Sequence, residues 1–268
     1  MARIRIVLAY DGTTFAGWQL QSGVSTIQGC LEEALRRIVG EPVRVHASGR
    51  TDSGVHAVGQ VAHFDIPDDK RHIPWHKALN TLIPRSVSVL SFGEVPRAFH
   101  ARYSVIAKSY SYTLWTEPDY LYPQRRKYVW ACGRVDLAAM DTAAAQFVGE
   151  HDFRAFMNTG TDVASTVRRV LSLRREPGPF PGEVVWRVRG TGFLKQMVRN
   201  IMGCLVAVGR GRLEPDAVRS LLGGRDRRAA PPTAPSQGLC LEAVEYPEHL
   251  LRPEASAEPQ AETGSGEA

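Results

Sequence analysis

Apolar and polar residues alternate along the opening "RIRIVLAY", with Ile4, Ile6, Leu8 and Tyr10 on one side and Arg3 and Arg5 on the other, as in a half-buried strand. After the turn-rich "YDGTTFAGWQLQSG" the period lengthens. Ile27, Leu31, Leu35 and Ile38 form one helical stripe that Gly40 ends, and Ser25 with Gln28 has capping-box spacing. Strands are predicted at 43–48 and 58–66, a short helix from Pro74 and a strand at "VSVLSFGEV". The order is β-α-β-β-α-β.

The second half repeats that order from "VIAKSYSYTLW", where Tyr110, Tyr112 and Leu114 share a strand face. A helix is predicted over 136–148, then strands near 167–175 and 183–189. A long helix follows from Phe193 to Val208, with Leu194, Met197, Ile201, Leu205 and Val208 on one side, then a shorter one from Glu214 and a last strand "LCLEAVEY". The chain reads as α+β: two βαββαβ, ferredoxin- or RRM-like halves, residues 1–104 and 105–248, whose strands can merge into one mostly antiparallel sheet beside a basic cleft. Residues 249–268 lack periodicity and are expected to form a disordered acidic tail.

At 268 residues and 43% apolar content the chain can fill real cores. The four cysteines stand far apart, with no CxxC pair and no His at ligand spacing. Neither a metal site nor a disulfide framework is indicated, and a reducing, cytoplasmic setting fits. No run of eighteen apolar residues could span a bilayer, and arginines interrupt the N-terminal apolar run where a signal peptide would need its core.

The net charge of +5 understates how basic the body is, because four glutamates lie beyond Arg252. Clusters at Arg125, Arg126 and Lys127, at Arg168 and Arg169, and at Arg225, Arg227 and Arg228 suit phosphate binding. With 28 arginines against 5 lysines, an arginine-rich solvated surface accounts for the same excess, so charge alone leaves nucleic acid open. Tandem RNA-recognition units would share this layout and carry a basic-Gly-aromatic run on a central strand. No segment has it, since "SYSYTLW" supplies aromatics without glycines. A non-catalytic, tandem RRM-like RNA-binding protein is therefore the alternative reading, and a carboxylate-dependent hydrolase of nucleosides or glycosides a third.

Candidate chemistry concentrates in "GRTDSGVHA". An Asp in a glycine-flanked turn often caps its own backbone. Here Arg50, Thr51 and Asp52 stand together between Gly49 and Gly54, whose freedom allows a loop that turns side chains outward. Five further stretches accompany it in order: "YDGTTFAGWQ", "KSYSY", "VDLAAM", "GEHDFRAF" and "FLKQMVRN". With these the chain resembles the tRNA pseudouridine synthase A family over nearly its whole folded body. Ser53 stands where Ala is more usual, and the acidic tail has no counterpart.

The resemblance implies an isomerase that needs no cofactor or metal. It would convert uridine to pseudouridine at positions 38, 39 and 40 of the tRNA anticodon stem-loop, moving the ribose from N1 to C5 of the uracil. It also implies a homodimer in which one tRNA contacts both subunits. By the same resemblance Asp52 is the essential nucleophile, Tyr110 the aromatic that stacks on the base, and Arg199 the ion-pair partner of Asp52.

Elementary chemistry fits these roles. Glycosidic cleavage leaves positive charge on the sugar, which an ionised carboxylate can capture, as in glycosidases. Lys195 and Arg199, four apart on the expected helix, would repel unless an anion lies near, and Asp52 with RNA phosphate would supply one. Everting a stacked uridine costs a few kcal/mol, and stacking on Tyr110 returns about 1–3 kcal/mol. The planar guanidinium of Arg50 is expected to fill the gap the base leaves. His46, His56 and His63 invite a metal or general-base role, but no carboxylate spacing supports one.

Overall fold

In the computed structural model, which describes residues 1–158, 160 and 163–252, the first strand is β1 (Ala2–Tyr10), with Ala2, Ile4, Ile6, Leu8 and Tyr10 buried as the alternation requires. Helix α1 (Ile27–Val39) is capped by Thr26, whose Oγ1 accepts from the Gly29 N–H, and not by the expected Ser25. Ser25 is drawn into an extended contact by its carbonyl, which accepts from the Ala16 N–H. Gln28 is buried instead, accepting from the Leu20 N–H and donating to the Val45 carbonyl. Gly40 ends the helix in the left-handed region, φ 93°.

The strand expected at 43–48 pairs only over β2 (His46–Ala47), because the Val45 backbone is satisfied by Glu32 and Gln28 of α1 rather than by a strand. Strand β3 runs from His56 to Ile66, starting two residues earlier than expected. Helix α2 (Trp75–Leu82) and strand β4 (Val87–Val95) follow.

The second half contains β5 (Ala107–Trp115), the short β6 (Trp130–Ala131), α3 (Leu137–Ala145), β7 (Gly149–Asp152), β8 (Val167–Pro177), β9 (Glu183–Gly190), α4 (Met197–Gly209), α5 (Ala217–Gly224) and β10 (Leu239–Glu245). Asp136 caps α3 by accepting from the Ala138 and Ala139 N–H groups. Helix α4 begins at Met197 and not at Phe193, since Gln196 sits at φ 60° and the preceding turn closes by Met197 N–H to Leu194 O. Lys195 therefore lies before the helix, its carbonyl taken by the Asn158 N–H, and the expected shared helix face with Arg199 does not exist.

Among the described residues all ten strands form one sheet, in the order β4-β1-β3-β10-β5-β9-β8-β7, with β2 beside β3 and β6 beside β5. Pairings are antiparallel except β10 with β3 and β6 with β5. Each half places its fourth main strand beside its first, then its third, then its second. The seam is the parallel contact of Cys240 and Leu241 with His56 and Ala57, which recruits the start of β3. Two large apolar cores flank this seam, and Tyr110 touches both.

Residues 249–252 were expected to belong to a disordered tail. His249 and Leu250 instead belong to a 3-10 turn, Glu248–Leu250, and Leu250 and Leu251 pack against a third cluster of Val61, Val95, Phe99, Ala101 and Tyr246. Apolar side chains in the "YPEHLL" run explain this, because they gain burial that the acidic remainder cannot. The rest of the expected tail, 253–268, lies outside the described residues. Among the described residues no helix is long and apolar enough to cross a membrane.

Candidate active site

The segment from Gly49 to Val55 joins β2 to β3 at the seam, and fixed elements satisfy its polar groups. Gln60 of β3, fully buried, donates to the Gly49 carbonyl at 3.0 Å and accepts from Ser48 Oγ at 2.7 Å. Thr51 Oγ1 and the Tyr10 hydroxyl are hydrogen-bonded at 2.9 Å, and burial pushes the Tyr10 phenol up to about 12, so it stays neutral. Trp18 N–H donates to the Thr51 carbonyl, Ser53 Oγ to the Phe15 carbonyl, and Val55 N–H to the Asp52 carbonyl. The loop is held in one shape by groups distant in sequence.

The "YDGTTFAGWQ" stretch is the backing of this loop. A Cβ on Gly12 would lie 2.0 Å from the Val55 carbonyl oxygen. Gly17 adopts φ +89°, and a Cβ there would lie 2.6 Å from the Thr51 carbonyl oxygen. Both contacts are with backbone, which cannot yield cheaply. Gly17→Ala is expected to cost about 1–3 kcal/mol of stability from the left-handed backbone and the clash together. It should also lower turnover by displacing Asp52. Thermal melts alongside rate measurements check this, and an unchanged melting temperature would contradict the packing argument.

Asp52 meets Arg199, which the first turn of α4 brings from the other half of the chain. Arg199 Nη1 donates to Asp52 Oδ2 at 2.9 Å, while its Nε donates to the Ala234 carbonyl at 2.8 Å. The guanidinium is thus pinned on two sides. Side-chain exposures of 14% for Arg199 and 30% for Asp52 leave the pair partly screened, with the carboxylate open to a ligand. Oδ1 receives no hydrogen bond from the described residues.

Ala234 is itself anchored. Arg227 donates to the Asn158 and Asn200 side-chain oxygens, to Thr233 Oγ1, and to the Ala230 and Pro231 carbonyls. Gly203 admits the Pro232 carbonyl to within 2.0 Å of where a Cβ would be. The loop receiving Arg199 is therefore locked to α4.

Tyr110 of β5 completes the group. Burial, and then the charges of Tyr10 and Asp52, hold its phenol well above the ordinary range, so it stays neutral beside the carboxylate. Its ring lies half-buried and edge-on to Phe193, with centroids 5.2 Å apart. Tyr112, two residues on, is wholly buried and donates to the Pro235 carbonyl. Arg50 is exposed at the leading end of the loop and joins none of these contacts.

Asp52, Arg199 and Tyr110 are thus assembled from three segments, while Arg50 is placed by chain proximity alone. Reading by local pattern gave no site role to Tyr10, Gln60 or Lys108, whose partners are remote, and placed Arg227 only in a basic cluster, whereas it anchors the Ala234 loop. Tyr10 and Lys108 stood within quoted motifs.

Two of the three candidate histidines are tied into the fold by their ring nitrogens. His56 accepts from the Gly12 N–H at its Nδ1 and donates from Nε2 to the Lys127 carbonyl, tying the loop's exit to two other segments. His63 accepts from the Ala101 N–H, and burial with the neighbouring His100 pushes it down to about 3. Among the described residues no group of three or more His, Cys, Asp or Glu side chains could hold a metal ion.

The arrangement offers a carboxylate positioned by a guanidinium within electrostatic reach of the Tyr110 phenol, and among the described residues no histidine is hydrogen-bonded to it. The family profile described as tRNA pseudouridine synthase matches residues 6–104 and again 143–247, once in each half. The chain belongs to the tRNA pseudouridine synthase family. It is an enzyme of that class, a pseudouridine synthase. The synthase is 59% identical over 251 residues to the tRNA pseudouridine synthase A of Solidesulfovibrio magneticus, covering 92% of each chain. Its identity to the protein of the same name from Maridesulfovibrio salexigens is 55%, again over 92% of each chain. For that of Lawsonia intracellularis it is 45%, over 92% of this chain and all of the relative.

Proposed function

We propose that the synthase isomerises uridine at positions 38, 39 and 40 of the tRNA anticodon stem-loop, with Asp52 as the nucleophile. The observation that carries this reading is the carboxylate of Asp52, held through one oxygen by Arg199 at the seam of the two halves and next to Tyr110. In the reaction the bond from N1 to C1′ breaks, a bond from C5 to C1′ forms, and C5 loses a proton while N1 gains one. Asp52 stabilises the sugar as positive charge develops there, its free oxygen being the one directed to substrate. Arg199 balances the carboxylate through Oδ2, and Tyr110 holds the everted base by stacking.

Arg50 enters the space vacated in the stem. Arg50→Ala is expected to reduce turnover on folded tRNA several-fold more than on a short unstructured RNA bearing the same uridine. Equal losses on the two substrates would remove this role.

A homodimer in a cytoplasmic setting completes the reading. The four cysteines are all free, which suits a reducing compartment. Light scattering that returned the mass of one chain at working concentration would overturn the dimer. The activity itself is tested by incubating unmodified tRNA transcripts with the enzyme and mapping carbodiimide-dependent reverse-transcription stops. New stops at 38–40 that vanish with Asp52→Ala support the assignment. Stops elsewhere refute the site, binding without stops favours the RNA-binding alternative, and free uracil indicates a hydrolase.

A further inference from the structure

We propose that Lys108 binds a backbone phosphate of the substrate RNA next to the everted nucleotide. The inference rests on the RNA-modifying reading above and adds to it a phosphate contact inside the site. Lys108 lies in β5 two residues before Tyr110, so strand alternation puts both side chains on one face. Its Nζ donates to the Ser48 carbonyl at 2.7 Å, at the point where the Asp52 loop departs. Gly49 makes room for it, since a Cβ there would lie 2.5 Å from Nζ.

The contact leaves the ammonium incompletely served. An ammonium carries three donors, and among the described residues the Ser48 carbonyl is the sole hydrogen-bond acceptor that Lys108 Nζ meets. Among the described residues no carboxylate stands within 4.0 Å of it. The charged group acting on it is Arg102, of the same sign. Burial first, and Arg102 second, push the ammonium down to about 8.

A cation withdrawn from water beside another cation, with only a carbonyl for company, is an unfavourable arrangement in the free protein. An anion would relieve it. The anion available to this enzyme within one nucleotide of a base held at Asp52 and Tyr110 is a phosphodiester oxygen. Bound phosphate would favour the protonated ammonium and supply the missing charge partner. Because the same Nζ holds Ser48, the contact also links the RNA backbone to the loop bearing Asp52.

The test uses Lys108→Met, Lys108→Gln and Lys108→Arg in the full chain, with a tRNA transcript as the probe. Equilibrium affinity is measured from about 50 to 200 mM salt, and turnover is measured in parallel. Loss of the charge is expected to weaken binding about tenfold at the lower salt. The slope of log affinity against log salt should become shallower by about 0.7–0.9, the signature of one lost phosphate contact. Lys108→Arg keeps the charge and should keep the slope. Two neutral variants are included so that one that fails to fold leaves the other to decide.

An unchanged slope in the neutral variants, with turnover lowered or not, overturns the proposal and confines Lys108 to holding Ser48. The parent enzyme separates this outcome from a failure of the proposed function. If the parent forms pseudouridine at 38–40 and the slopes coincide, only the phosphate assignment falls.

Discussion

Asp52→Ala is expected to form pseudouridine at least about 10³-fold more slowly than the parent, since no neighbouring group can replace a nucleophilic carboxylate. The measurement is release of tritium from tRNA labelled at uracil C5, which follows the proton lost when C5 becomes bonded to the sugar. Asp52→Asn separates chemistry from folding. Its amide oxygen can still accept from Arg199 Nη1, whereas alanine leaves that donor without its 2.9 Å partner. The alanine variant should therefore be less stable than the asparagine one by about 1–3 kcal/mol at most, with solvent screening reducing the difference. Both should be equally inactive. An asparagine variant that isomerised at the parental rate would exclude the carboxylate from the chemistry.

The second large effect is expected at Arg199. Arg199→Met keeps much of the side chain's length but removes the charge that meets Asp52 Oδ2 and the donor that meets the Ala234 carbonyl. A charge-assisted hydrogen bond contributes about 1.5–3 kcal/mol, which corresponds to a fall in kcat of roughly 10- to 100-fold. KM should change less, because the guanidinium acts on the carboxylate rather than on the RNA backbone. Arg199→Lys should recover part of the loss, since a single ammonium cannot present two donors in the fixed planar geometry that reaches both partners. Steady-state kinetics on one tRNA transcript, with thermal melts to control for folding, distinguish these outcomes. Parental kinetics in Arg199→Met would show that the ion pair serves structure alone.

Local pattern revealed most elements because their signals are local. β1 alternates with period two, Asp136 precedes a helical run, and Gly40 follows one, so each element is specified by neighbours within a few residues. The structure departs from local pattern where distant groups compete for backbone. The strand through Val45 is cut short because Glu32 and Gln28 take its hydrogen bonds. The start of α4 moves because Phe193 turns to meet Tyr110 and Gln196 takes a left-handed conformation. Leu250 and Leu251 pack onto the fold because they find an apolar cluster formed by β3, β4, the following loop and Tyr246.

For the site, the amino-acid sequence alone determined which residue types are present and which loop could carry the carboxylate: Asp52 between Gly49 and Gly54, with Tyr110 and Arg199 in separate motifs far along the chain. The family resemblance implied the pairing of Asp52 with Arg199; only the tertiary structure gave its geometry, showed that Gly17 and Gln60 hold the loop that presents Asp52, and placed Lys108 beside that loop with, among the described residues, no carboxylate within 4.0 Å. The physical reason is range. Helix stripes, strand alternation and caps are set by contacts between residues a few positions apart, whereas the pairing of β3 with β10 and the reach of Arg199 to Asp52 exist only once both halves share one sheet.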